Sequence, residues 1–446
     1  MRAPRLTFLG GVNEIGGNKI VVEDGPDRVL FDFGPSFSPQ YDAFWFNFLQ
    51  PRSTSPVKDR LEFDLLPRVA GLYSEDALYG TDLAYQPPGF HAMFVSHAHF
   101  DHAGSLNLID PKIPVYLGAT TRELLRAVET TTQQRYGVHD YRPAAEGRPI
   151  RVGRIEVVPL PVDHSIPGAY GYLIRTSEGV VAYTGDFRMH GPRAKSTHAF
   201  IEAAGAEHPD TLVIEGTRAG PDPRKNLSEE GVRLAVDRLL SQTEEIALVS
   251  CYPRDLDRLV TLYAAARAAG RTFAVSFKTA HLLKSLRAEL GPSVPAPGES
   301  EGLVAYRRAK RQYYKWERPF LDDAVDAEWV RRHGREILLS LDLAHFAELI
   351  DLRPPRGAAF IHSMSEPFSE DDVDEQVLAN WLDHFGLHRE QMHASGHCSG
   401  PELGQVAEGV QGKRLIPVHT QHAEAFRALA PRVTLPEKGE PIEIGR

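Results

Sequence analysis

At 446 residues the chain is longer than one hydrophobic core usually supports, so two compact units are expected. With 42% hydrophobic and 25% charged residues, no apolar run near the roughly 18 residues of a membrane span and no apolar secretion signal in MRAPRLTFLGG, it reads as an ordinary globular, cytoplasmic chain with no membrane partner. A formal charge of −10 excludes a protein that coats nucleic acid through Lys and Arg, although it leaves room for a local basic groove, and the isolated Cys251 and Cys398 exclude a disulfide framework or a thiolate zinc site.

From residue 5 to 34 the segments LTFLGG, NKIVVEDG and RVLFDFG predict short strands separated by Gly and Asp turns. Residues 35–90, with Phe44, Trp45, Phe46 and Phe48, read as a mostly irregular excursion bordering a cleft. In VSHAHFDHAG an apolar strand, Ala92 to Ser96, delivers His97, His99, Asp101 and His102 into the loop that follows it. Four candidate ligands in six residues are hard to explain as solvated polarity, and imidazole with carboxylate suits Zn²⁺ or a similar first-row ion such as Mn²⁺.

Strands return at IRVGRIEVVPLP, AYGYLIRT and GVVAYTGD. His164 and Asp186 each follow one of these apolar segments, and His419 ends the strand LIPVH. A His or Asp at a strand end is most often a solvated turn residue, but strand ends on one rim are also where ligands from distant segments converge. Two metals roughly 3.5 to 4 Å apart are a standard device for phosphodiester hydrolysis.

After residue 220 strand and helix alternate: EEIALVS, a helix through Leu256, Leu259, Val260 and Tyr263, RTFAVSF, and a helix through Leu282, Leu283 and Leu286. EILLSLDL and GAAFIHSM predict further strands and EDDVDEQVLANWLDHFG an amphipathic helix, an arrangement that makes a parallel α/β unit. Two more strand and helix pairs, in QMHASGHCSGPELGQVAEGV and RLIPVHTQHAEAFRAL, complete the pattern.

HASGHCSGPEL runs from a strand through a Gly-containing turn into a helix, so its backbone N–H groups, with His393, Ser395 and Gly396, offer a place for a phosphate, while a plain turn fits the same residues. Within YRRAKRQYYKWERP, Arg307, Arg308, Lys310, Arg311 and Lys315 alternate with Tyr313, Tyr314 and Trp316. Cations for phosphates and rings for unstacked bases suit single-stranded nucleic acid. A charged helix face packed by its aromatics suits the pattern equally, and the sequence leaves both readings open.

These motifs resemble the metallo-β-lactamase superfamily. The resemblance implies an αββα sandwich, with His97, His99 and His164 on one Zn²⁺, Asp101, His102 and His419 on the other, and Asp186 bridging them. Asp32, ending RVLFDFG, would orient ligands rather than bind metal. More than two hundred residues separate Asp186 from His419, which resembles the inserted parallel α/β domain of the β-CASP nucleases. Glu215 in VIEGTRAG, His397 in HASGHCSG and His419 in IPVHT match that subfamily's acidic and histidine motifs, and HASGH with GGVNEIGGN is similar to ribonuclease J.

The domains expected are then 1–215 for the first part of the metallo-β-lactamase unit, 216–388 for the β-CASP unit and 389–446 for the returning part. The resemblance implies hydrolysis of single-stranded RNA, as a 5′ to 3′ exonuclease, an endonuclease or both, leaving a 5′-phosphate and a 3′-hydroxyl. Asp101, Glu215 and His397 would carry the chemistry, and Ser228 resembles a phosphate-contacting serine, although it also reads as a helix N-cap. The sequence stops soon after His419, as in the shorter archaeal-type relatives, and a homodimer stays open. DNA as substrate, a small-molecule hydrolase and a non-catalytic subunit are the competing readings.

Overall fold

The computed structural model describes residues 3–37, 44–45, 49–222, 226–366 and 372–445, which leaves Phe46 and Phe48 of the early aromatic run outside it. Alternating burial makes β1 (Arg5–Gly10) a half-buried strand. It pairs antiparallel with β2 (Lys19–Asp24), and β2 pairs antiparallel with β3 (Asp27–Phe31). Parallel pairing then adds β4 (Ala92–Phe94), β5 (Val115–Leu117) and β6 (Tyr141–Pro143).

A second sheet is built from the antiparallel run β7 (Ile150–Val152), β8 (Ile155–Pro161), β9 (Tyr170–Arg175) and β10 (Val180–Tyr183), with β11 (Thr211–Glu215) parallel to β10. The two sheets face each other across a core that includes Phe8, Phe31, Phe94, Tyr172 and Val213. Helix α1 (Ala119–Thr131) turns Leu124 and Leu125 into the core outside the first sheet. Helix α2 (Ala194–Ala206) places Phe200 and Ala204 against the second.

The chain then leaves for a third sheet. Here β12 (Ala247–Cys251), β13 (Thr272–Ser276), β14 (Leu303–Tyr306), β15 (Ile337–Ser340), β16 (Ala359–Ser363) and β17 (His388–Gln391) are all parallel, in the order β14-β13-β15-β12-β16-β17. Apart from the polar edge strand β17 (HREQ), their short apolar runs match a sheet covered on both faces. Helices α3 (Glu229–Gln242), α4 (Leu256–Ala268) and α5 (Phe277–Leu290) contribute to the core on one face, and α6 (Val373–Phe385) to that on the other. α5 packs on α1, which joins this unit to the sandwich.

Helix α7 (Gly400–Val410) returns to the sandwich and covers the second sheet beside α2. β18 (Leu415–Val418) extends that sheet next to β11, and β19 (Pro441–Glu443) edges the first sheet next to β1. The architecture is therefore a mixed α/β one, an αββα sandwich with an inserted parallel α/β unit. β17 straddles the division drawn at residues 388 and 389 and pairs with β16, so the third sheet extends to Gln391.

Two local expectations change. The helix expected after LIPVH is only a short 3-10 stretch, Ala423–Ala428. Residues 307–317 contain no helix, so the helix-face reading of that segment falls. Among the described residues no helix is long and apolar enough to cross a membrane.

Candidate metal centre

Strand ends on one rim of the facing sheets carry the cluster. β4 leads into His97, and the short turn Phe100–Ala103 presents Asp101 and His102. His164 follows β8, Asp186 follows β10 and His419 follows β18. His97, His99 and His164 form one group able to hold an ion, and Asp101, His102, Asp186 and His419 form a second. All seven expected ligands are thereby brought together.

In the first group the Nδ1 of His99 lies 3.1 Å from His97 Nε2 and 3.0 Å from His164 Nε2. In the second, His419 Nε2 is 3.0 Å from Asp101 Oδ2 and His102 Nε2 is 3.1 Å from Asp186 Oδ2. The same Asp186 oxygen is 3.4 Å from His419 Nε2 and 3.8 Å from His97 Nε2, so one carboxylate faces both groups.

Acceptors on the far side of two of the rings fix which nitrogen keeps its proton. Gly396 O can only accept, so His164 Nδ1 donates to it across 2.6 Å and Nε2 turns a lone pair inward. The Asp32 carboxylate takes His102 Nδ1–H across 2.9 Å with the same result. Thr217 Oγ1 holds His419 Nδ1 at 2.8 Å and Ser96 Oγ holds His97 Nδ1 at 3.0 Å. Orienting partners of this kind are the usual supports of metal-binding imidazoles.

Burial drives His97 and His164 well below the ordinary histidine range and His99 to about 3, so these three rings are neutral. Burial pushes His102 and His419 the same way, but Asp186 and Asp101 outweigh it, raising His419 to about 9 and His102 well above its usual value. The carboxylates therefore demand positive charge beside them. Asp186 Oδ1 is buried with no hydrogen-bond partner. A cation between inward lone pairs and buried carboxylates satisfies all of these atoms, so the residue set fits a bound metal.

The backbone is strained where it must aim these groups. Asp32 and His419 take left-handed conformations, φ 58° and 54°, directly after β3 and β18. Four donors surround the buried Asp32 carboxylate: Ser96 N at 2.7 Å, Ser96 Oγ at 2.9 Å, His102 Nδ1 and Tyr183 Oη at 2.8 Å. The opening GGVNEIGGN backs Asp101 and His419. Gly11 O accepts from His419 N at 2.8 Å, and a side chain on Gly16 would strike the Asp101 carboxyl at 2.8 Å.

Facing the cluster, His397 Nδ1 lies 3.1 Å from Glu215 Oε1, and the other Glu215 oxygen accepts from Thr217 N at 2.8 Å. The His397 ring lies 5.1 Å from that of His164 and 5.7 Å from that of His419. Its loop is tied to the neighbouring ligand segments, since Cys398 N donates to Phe187 O at 3.0 Å and Gly396 O holds His164.

The other expected positions divide. Ser395 N donates to Asn226 Oδ1 and His397 N to Ser395 Oγ, so two backbone donors of HASGH serve the loop itself. His393 Nδ1 donates to Ser363 O at 3.3 Å, and the Ser228 hydroxyl accepts from Gly231 N at 3.0 Å as the N-cap of α3. In the basic segment Arg307 pairs with Asp326 and Lys310 with Glu317, while Tyr313 and Trp316 pack on the core. Arg311, Tyr314 and Lys315 stay exposed, and Arg308 is half-buried.

A buried charge network between the lobes has no motif in the sequence. Fully buried Arg188, two residues past Asp186, reaches Asp163 at 3.2 Å and Asp257 at 2.6 Å, and Arg193 meets the same Asp257 at 2.6 Å. Arg258 binds Glu229 at 2.9 Å and donates to Ala394 O. Because its loss leaves the buried Asp163 carboxylate with Arg193 only at 3.7 Å and takes one of two arginines from Asp257, Arg188→Met should cost about 3–5 kcal/mol in a urea melt. A loss under 1 kcal/mol would show that the network holds nothing together.

With this geometry in view, comparison with known proteins is direct. The signature described as beta-lactamase superfamily domain matches residues 28–247. Ribonuclease J of Thermus thermophilus is 25% identical over 96% of this chain and 70% of its own. Ribonuclease J of Mycobacterium tuberculosis H37Rv is 24% identical over 93% of this chain and 68% of its own, and that of Helicobacter pylori 26695 is 24% identical over 99% and 61%. A crystal structure of a protein of unknown function from Enterococcus faecalis V583 shares the fold, with a TM-score of 0.79, 24% identity and coverage of 99% of this chain and 100% of that one. The chain thus carries a β-lactamase superfamily domain and is similar to ribonuclease J along nearly its whole length.

Proposed function

We propose that the protein is a metal-dependent ribonuclease that hydrolyses phosphodiester bonds of single-stranded RNA, as a 5′ to 3′ exonuclease, an endonuclease or both. The observation that carries this reading is the single Asp186 oxygen facing both nitrogen groups, with the Glu215–His397 pair across from it. Names of the relatives support RNA as substrate. In this reading His97, His99 and His164 would hold one Zn²⁺ and Asp101, His102 and His419 a second, with the Asp186 carboxylate available to both. Bound ions of this kind bring the pKa of a water toward about 7 and stabilise charge on a phosphoryl oxygen.

The remaining steps belong to side chains. Glu215 holds the His397 ring through Nδ1, which leaves Nε2 to give its proton to the departing 3′ oxygen. Cleavage of the P–O3′ bond then leaves a 5′-phosphate and a 3′-hydroxyl. Gly396 keeps the loop close, because a side chain there would meet Ser165 Oγ at 2.8 Å and His164 at 2.9 Å. Asp32 sets the tautomer of His102, so Asp32→Ala should weaken metal binding by about 10–100-fold in a chelator competition. Unchanged affinity would remove Asp32 from this role.

One gel tests the whole reading: 5′-labelled single-stranded RNA and DNA of equal length, each with mono- and triphosphate ends. RNA cut with metal and left intact with chelator is the expected result. Exclusive cutting of DNA would overturn the choice of sugar, and no cutting of either would overturn the function.

A further inference from the structure

Successive backbone carbonyls from His393 to Gly396 are each held by a different segment of the chain. His393 O accepts from Leu227 N at 3.1 Å, Ala394 O from Arg258 Nη2 at 3.2 Å and Gly396 O from His164 Nδ1 at 2.6 Å. Ser395 O faces His190 Nε2 at 3.0 Å, with Arg188 Nη1 at 3.4 Å. His190 itself lies on the segment that follows Asp186, its side chain 13% exposed, and its own carbonyl accepts from Glu229 N of the inserted unit at 3.2 Å.

The His190 ring spans the loop that carries His397. Nδ1 faces Glu402 Oε1 of α7 at 3.1 Å, and the other Glu402 oxygen accepts from Ser399 N at 2.7 Å and Ser399 Oγ at 2.8 Å. Ser395, on the other side of His397, is held at every polar atom: N donates to Asn226 Oδ1 at 2.6 Å, O faces His190, and Oγ accepts from His397 N at 3.1 Å. One imidazole thus closes the loop on both sides of His397.

This closure survives either protonation state of the ring. Burial raises the Glu402 carboxyl, but hydrogen bonds from His190 and Ser399 outweigh it and bring it to about 2, so Oε1 only accepts and His190 Nδ1 carries a proton. A neutral ring then turns its Nε2 lone pair to the Asn226 amide nitrogen at 3.2 Å, and Asn226 holds Ser395 N through its own oxygen. A charged ring donates from Nε2 to Ser395 O instead. Ser395 is joined to Glu402 in both cases. A proton donor acts only within hydrogen-bond reach of the departing oxygen, and a misplacement of roughly 1 Å costs about a hundredfold in rate. We propose that His190 is a positioning residue for His397, holding the His397 loop against the ligand cluster with Asn226 and Glu402 as its two anchors. The effect on rate rests on the nuclease reading, whereas the effect on the His397 ring does not.

The test takes the zinc-loaded full chain and compares His190→Ala and His190→Gln, alone and combined with His397→Ala, with bound metal and the urea midpoint as folding controls. His190→Ala should lower kcat on a single-stranded RNA about 10–100-fold with KM little changed, and should add less than about threefold to the loss caused by His397→Ala. His190→Gln, whose amide reaches Ser395 or Asn226 but not Glu402 as well, should recover part of the rate, and it carries the same readouts if His190→Ala fails to fold. In spectra of the chain labelled at histidine Cε1, the His397 signal, assigned by its loss in His397→Ala, should shift or broaden in the His190 variants while those of the ligand histidines stay. The proposal is overturned by a His397 signal that does not move, by an unchanged kcat, or by a loss that persists in full in the His397→Ala background. A wild type that cuts no RNA while the His397 signal still moves would sink the nuclease reading alone.

Discussion

Asp186→Asn should lower bound metal and reduce RNA cleavage by about a thousandfold or more, the largest single loss in the protein. The carboxylate contributes one oxygen close to three imidazole nitrogens drawn from both ligand groups, and its other oxygen is buried without a partner. Asn keeps the shape but removes the charge and replaces one oxygen with a donor, which cannot face a cation. Ions that stabilise a phosphoryl transition state supply several kcal/mol, and each 1.36 kcal/mol is tenfold in rate. Elemental analysis and single-turnover cleavage read the two effects separately. A variant with wild-type metal content and wild-type rate would show that Asp186 bridges nothing.

The cluster was legible in the sequence because metal chemistry restricts residue type: VSHAHFDHAG has few other uses, and His164, Asp186 and His419 each sit directly beyond an apolar strand. The parallel unit was legible from its alternation of short apolar runs with amphipathic segments, which β12, β13, β15 and β16 reproduce, whereas β14 (Leu303–Tyr306) was not foreseen. The supports were not. Ser96, Thr217 and Tyr183 are ordinary residues until folding sets them against a ligand ring or the Asp32 carboxylate.

The same limit explains the charge network. Arg188 and its partner Asp163 lie within two residues of ligands, but the other two carboxylates that Arg188 faces, Asp257 and Glu229, come from the inserted unit, and sequence spacing carries no trace of the pairing. Lys19 was read as a strand residue. Folding places its ammonium on Gly17 O and Gly34 O at 2.9 and 2.7 Å, where burial lowers its pKa to about 8. The basic segment misled in a different way: composition named eight residues together, while geometry uses Arg307, Lys310, Tyr313 and Trp316 internally and leaves Arg308 half-buried.

His397→Ala should keep its metal and lose about 10²–10⁴ in the rate of RNA cleavage. The ring contacts the ligand cluster only edgewise or tilted, with centroids 5.1 and 5.7 Å from His164 and His419, so its removal leaves every proposed ligand in place. What disappears is the proton for the leaving oxygen. A sugar alkoxide is a poor leaving group and needs that proton, whereas a nitrophenolate does not.

The variant should therefore cut bis(p-nitrophenyl) phosphate within about tenfold of the wild type while remaining crippled on RNA, and this contrast separates proton donation from general damage to the site. Glu215→Gln should fall between the two, because the amide oxygen still accepts from Nδ1 but lacks the carboxylate's charge-assisted hold on the ring. Equal losses on both substrates would mean that His397 supports the site rather than protonates the product. Full activity on RNA would mean that the Glu215–His397 pair serves packing alone.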